Sequence, residues 1–195
     1  DFHIAPAAAW LLAGVSLCAA AVSFPAAFQS ALTNQPPEAE AAFVMLAEQQ
    51  DDTPLGVARR DRAWFQAAEA AVRQSRFERA AELADAIRDD ALRTLARMEL
   101  LAAQKQPEAL MQLAGAAPIE TWPDALIHRA AMCRAAAALS QGKAAAAEKD
   151  LILAGQYILN PHHRARTRFM LAELCQKELK DGDRALQVYD ELLEW

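Results

Sequence analysis

Two hydrophobic patterns divide the chain. From Phe2 through Pro37 no Asp, Glu, Lys or Arg occurs, and Ala7–Phe24 is an uncharged run of 18 residues between Pro6 and Pro25. Beyond it, apolar and charged residues intermingle in stretches of helical character, broken at Pro and Gly. Glu38–Gln50 reads as a short helix around Phe43, Met45 and Leu46. Thr53-Pro54 supplies a cap followed by Pro at the first helical position, the start signal of the next helix. No run alternates polar with apolar β-branched residues as a strand would. The pattern predicts an all-α fold.

The uncharged run has the length and character of a membrane helix, which needs about 20 mainly apolar residues. Pro6 suits a first turn, and Trp10 lies near one end, where an indole favours the membrane interface. Gly14 and Ser16, among alanines, would let other membrane helices approach closely. A secretory leader would begin with basic residues and end in small ones; here the start is Asp1-Phe2-His3, and Leu17 spoils a lipoprotein site at Cys18. The expectation is a retained single span over residues 1–32, touching the bilayer through residues 4–28. The flank carries Glu38, Glu40, Asp51 and Asp52 before the first cations at Arg59, Arg60 and Arg62, which places the remainder on the extracytoplasmic, periplasmic side. Residues 33–56 read as a linker with the short helix, and 57–195 as the helical domain.

Within 57–195 the pattern repeats. "RAWFQAAEAAVRQSRFERAAELADAI" places Trp64, Ala67, Ala68, Phe77, Ala80, Ala84 and Ile87 at a bulky residue, a small pair, and a small residue 12 positions after the first small contact. Antiparallel helices approach closely where small residues face each other. A looser unit runs through Leu95, Ala96, Ala109 and Leu113, with Pro107 at a helix start. A third opens on Thr121-Trp122-Pro123-Asp124, in the manner of a capping box, is divided by Gly142 and closes at Pro161. A fourth holds Phe169, Ala172, Gly182-Asp183, Ala185, Tyr189 and Leu192, with a turn one residue longer.

On these residues the chain resembles the tetratricopeptide-repeat family, over roughly 57–195. The resemblance implies an α-solenoid of about four hairpins whose first helices line a peptide-binding groove. Carried over by offset, the partner-binding positions are Arg62, Phe65, Glu69 and Arg73 in the first unit, and Arg93 and Arg97 in the second. They are Ile127 and Arg134 in the third, and Arg166, Phe169 and Glu173 in the fourth. Several arginines on one face suit an acidic peptide or a terminal carboxylate.

Composition adds limits. The chain is 54% hydrophobic with only 6 Gly, in keeping with Ala-rich helices. A net charge of -6 argues against nucleic acid as a partner. The cysteines, Cys18, Cys133 and Cys175, form no CxxC pair and read as buried packing groups. A Cys133–Cys175 disulfide would need Cα atoms within roughly 7 Å, closer than packed helices usually come. His162-His163 follows Asn160-Pro161 and fits an exposed first helical turn, and His128 stands alone near a helix start. No phosphate loop, HExxH, GxSxG or calcium-loop order is present, and no carboxylate pair is set by spacing. The expectation is a binding protein without catalytic residues, metal or cofactor. In layout, one span followed by a helical-repeat domain, it is similar to translocon-associated periplasmic proteins. An accessory scaffold joined to other subunits of a membrane complex is the leading expectation. An exported soluble chaperone or peptide binder keeping its leader is the alternative.

Overall fold

The computed structural model describes residues 36–157 and 161–193, and these are all-helical. The helices are α1 (Pro36–Glu48), α2 (Pro54–Arg73), α3 (Phe77–Asp85), α4 (Asp90–Ala103), α5 (Pro107–Ala116), α6 (Asp124–Ser140), α7 (Ala144–Gln156), α8 (Pro161–Lys177) and α9 (Gly182–Leu193). The apolar run, with Trp10, Gly14, Ser16 and Cys18, lies outside the described residues. Among the described residues no helix is long and apolar enough to cross a membrane. The chain divides into two compact units at Arg88 and Asp89, inside the span that the sequence treats as one domain.

In the first unit α1 packs along α2, and α2 pairs with α3. Phe43, Leu46 and Ala47 of α1 are buried, so this short helix packs into the first unit. Burying each of the two large side chains contributes about 2 kcal/mol. Glu40 is buried on the same helix and accepts from Arg76 at 2.7 Å and from Arg79 at 3.3 Å, closing α1 onto the turn before α3. The start of α2 is built as its sequence predicts: Thr53 Oγ1 accepts from the Gly56 N–H at 3.1 Å, and Pro54 takes the first helical position. Asp51 tightens that start by accepting from the Thr53 hydroxyl at 2.6 Å and its N–H at 3.2 Å. Gly56 is needed there, because a Cβ would fall 1.9 Å from Asp51 Oδ1 and 2.4 Å from its carbonyl oxygen. Asp61, also buried, accepts from the Arg88 N–H at 3.0 Å and fixes the end of the unit.

The second unit holds the hairpins α4–α5, α6–α7 and α8–α9; α6 packs on both α4 and α5, and α7 packs on α8. Asp89 caps α4, accepting from the Leu92 N–H at 2.8 Å. Along α6, Ala130, Ala131, Ala135 and Ala138 are buried, leaving the close approach that small side chains permit. Ala135, Ala138, Ala147, Leu151 and Leu174 form one core cluster, covered by Met132, Met170 and Leu171. The expected capping box at Thr121 does not form. Ile119–Thr121 winds into a 3-10 turn, the Thr121 hydroxyl donates to the Pro118 carbonyl at 2.8 Å, and Pro123 stands at the cap position of α6 without a side-chain bond.

One turn recurs in both units. Residues 74–76, 104–106 and 141–143 each join a long helix to the next, with Ser75, Lys105 and Gly142 in the left-handed region at φ of 58°, 57° and 70°. In each, the third turn residue donates its N–H to the carbonyl five residues back: Arg76 to Ala71, Gln106 to Leu101, Lys143 to Ala138. The left-handed residue donates three back, to Val72, Ala102 and Leu139. These paired bonds are the Schellman motif, which satisfies the last free carbonyls of a helix. Each of the three turns begins with Gln: Gln74, Gln104 and Gln141. The last turn, 178–181, has one more residue, places Lys180 at φ 56° and bonds the Asp181 N–H to the Cys175 carbonyl.

Candidate interaction surface

Counting back from the turns gives the register that the sequence leaves loose. Ala68, Met98 and Ala135 each stand six residues before the turn Gln, and Ala80, Leu110 and Ala147 stand 12 residues after them (80−68, 110−98, 147−135); all six are buried. In the last hairpin the longer turn makes the spacing 13 (185−172), between buried Ala172 and Ala185. The second hairpin is thus centred on Met98 and Leu110, not on Ala96 and Ala109. Its large pair hides the small-residue signature.

This register moves several candidate positions. In the first unit Arg62 and Arg73 are exposed, while Glu69 pairs with Arg73 one turn along α2. Phe65 is buried and serves the core, as does Ile127 of α6, so neither presents a side chain for a partner. Arg93 pairs with Asp90 on its own helix, and Arg97 is exposed. Arg134 is committed inward: its Nε donates to the buried carboxylate of Asp150 on α7 at 3.0 Å, and Nη2 donates to the same oxygen. A buried carboxylate stripped of its cation is costly, so this arginine is structural. On α8, Arg166 and Phe169 are exposed, and Glu173 accepts from Lys177 at 2.6 Å. Phe169 meets Tyr189 of α9 edge to face, with ring centroids 5.8 Å apart.

The positions equivalent to Glu69 and Arg62 in the middle hairpins are Glu99 and Arg129, and the sequence reading passes over both. They pair across α4 and α6, with Arg129 Nη2 2.6 Å and Nε 2.8 Å from Glu99 Oε1. Beside them the Cys133 thiol is pushed up to about 12, first by burial and then by the Glu99 charge. A little further on, the Thr167 hydroxyl of α8 donates to the Met132 sulfur of α6 at 3.8 Å. Contacts between side chains therefore run from α4 through α6 to α8, the first helices of the three hairpins. The signal that finds Glu99 and Arg129 is the Gln that opens each turn, used as the origin for counting.

His128 Nδ1 lies 3.1 Å from the Ala154 carbonyl near the end of α7. Cys133 and Cys175 are both free thiols, and burial is the first cause raising each. Among the described residues no three His, Cys, Asp or Glu side chains gather as a metal ion would require. His162 and His163 fall in the first turn of α8.

In the second unit a cleft of about 500 Å³ lies between α7, α8 and α9. Leu151, Leu171 and Val188 provide its apolar surface, while Arg168, Arg184 and Glu191 provide its charges. Arg184 pairs with Glu148 of α7 at 2.8 Å, and Arg168 with Glu191 of α9 at 3.0 Å. A smaller, mostly apolar hollow of about 240 Å³ lies between the α4–α5 turn and α6, floored by Leu110 and Ala137. Such geometry can hold a peptide side chain or a short segment. Compared with protein-family models, curated proteins and solved structures, the chain matches none.

Proposed function

We propose that the chain is a membrane-anchored, tetratricopeptide-like scaffold that binds other protein subunits, as an accessory part of a larger membrane complex. The observation that carries the repeat half of this reading is the Schellman turn that recurs in three of the four hairpins, with a 12-residue spacing between buried positions in each. Repeated hairpins that bury their alanines present long helix faces to a partner, the usual use of such architectures. The proposed partner-facing positions are Arg62, Glu69 and Arg73 in the first unit, and Arg97, Arg166, Phe169 and Glu173 in the second. Glu99 and Arg129 join them through the register fixed by the turns. The anchoring half rests on the uncharged run of 18 residues, and the acidic flank favours the extracytoplasmic side for the helical units.

Membrane fractionation followed by detergent pull-down and mass spectrometry tests both halves. The expected result is a chain that resists alkaline extraction and carries stoichiometric protein partners through purification. Recovery of the chain in the soluble fraction without detergent would remove the anchor. Recovery alone from mild detergent would remove the scaffold.

A further inference from the structure

We propose that the cleft between α7, α8 and α9 binds a short acidic segment of a partner protein, with a carboxylate on Arg184 and a neighbouring aliphatic side chain against Leu171 and Val188; this rests on the interaction-scaffold reading. The charge of the cleft is the first argument. The charged side chains lining it are Arg168, Arg184 and Glu191; Arg168 is paired with Glu191, which leaves Arg184 as the cation that faces the cleft, above its deeper partner Glu148. A guanidinium offers five N–H donors, and a single carboxylate accepts at most two of them in the fork geometry. Arg184 meets Glu148 through Nη1, and its side chain keeps 44% of its exposure. Glu148 lies deeper, at 13%, and forms an ion pair with the arginine while leaving it open to solvent.

Shape is the second argument. About 500 Å³ lies within the range of clefts that hold small ligands, roughly 300–1,000 Å³. Its apolar part is continuous with the core through Leu151 and Val188, both buried, so an aliphatic side chain seated there removes further apolar area from water. Gly155 of α7 borders the cleft, and a Cβ built on it meets no atom within 4 Å. Space is therefore present on that wall. A side chain grafted at this position projects into open volume without disturbing the helix, where glycine is a poor residue in any case.

The test uses the full chain in detergent and a short fluorescein-labelled peptide of alternating Leu and Glu, with the Leu/Gln peptide as control. Fluorescence anisotropy is expected to show saturable binding of the acidic peptide and roughly tenfold weaker binding of the amide peptide, the loss of one charge-assisted contact. Gln187→Glu, which adds an anion at the exposed rim, and Gly155→Met, which fills the open wall, are each expected to weaken the acidic peptide roughly tenfold. Neither variant removes a contact of the fold, and an unchanged unfolding midpoint checks this. Absence of binding, equal affinity for the two peptides, or wild-type affinity in both variants would overturn the proposal. These outcomes are independent of the pull-down: loss of the scaffold reading appears there as a chain without partners, whatever the peptide does.

Discussion

The α2–α3 and α4–α5 hairpins share a turn and a spacing and differ in what they bury. The first places Ala68 and Ala80 at the equivalent positions, and the second places Met98 and Leu110 there, all nearly inaccessible. Two alanines bring helix axes together, whereas Met and Leu need more room, which a flexible thioether fills readily. The turn is the same in both, down to the left-handed second residue and the two backbone bonds. The difference teaches that the spacing is set by how one helix ends and the next begins, while the residue size at the contact is free to vary. A reading keyed to alanine therefore finds the first hairpin and misplaces the second.

The comparison can be broken at several levels. The largest effect is expected in another alanine-centred hairpin, that of α6 and α7, where Arg134→Ala leaves the Asp150 carboxylate buried and unpaired and costs about 4 kcal/mol in urea unfolding. A loss under 1 kcal/mol would return Arg134 to the list of partner-facing residues. Next, Met98→Ala is expected to cost about 3 kcal/mol, since an alanine in the larger contact leaves a cavity. The mirror substitution, Ala68→Leu, is expected to cost about 2 kcal/mol through overpacking. If Met98→Ala were neutral, the two hairpins would have the same helix separation and the contrast would fall.

Smaller effects sharpen the part that is shared. Gly142→Ala is expected to destabilise by about 1 kcal/mol, whereas Ser75→Gly and Lys105→Gly stabilise by up to about 1 kcal/mol, because all three positions hold positive φ. Thermal midpoints moving with the same sign at all three would show that the turns differ. The smallest effect concerns the start of α2. The Thr53 hydroxyl holds the Asp51 carboxyl below its ordinary value of 3.8. A depressed carboxyl contributes stability that is present above the unfolded value and lost as pH falls below 3.8 through the folded one. Asp51→Asn is expected to flatten that part of the stability profile slightly and to leave neutral pH nearly unchanged.

Much of the architecture is legible in local chemistry. Thr53-Pro54, Pro107, Gly142 and Gly182 mark helix boundaries because caps and breakers act through their own backbone. The longer last turn is readable for the same reason. What escapes the sequence depends on distant neighbours. Phe65 and Ile127 sit at groove offsets, yet packing from other helices covers them. Arg134 looks like a surface cation until α7 delivers Asp150 beneath it. Thr121 has the spacing of a cap, but the 3-10 turn takes its hydroxyl first. The Glu99–Arg129 pair joins residues 30 apart and depends on a register that only the turns define.

The four-residue turn at 178–181 has a consequence for how such a chain changes length. One added residue in the connection raises the spacing between Ala172 and Ala185 by one, and both stay buried. Inside a helix the same insertion would rotate everything beyond it by about 100° and expose the core face. The loops thus act as the places where insertions and deletions are absorbed, one unit at a time. A lineage built on this plan can drift in length at every turn while the helices keep their phase.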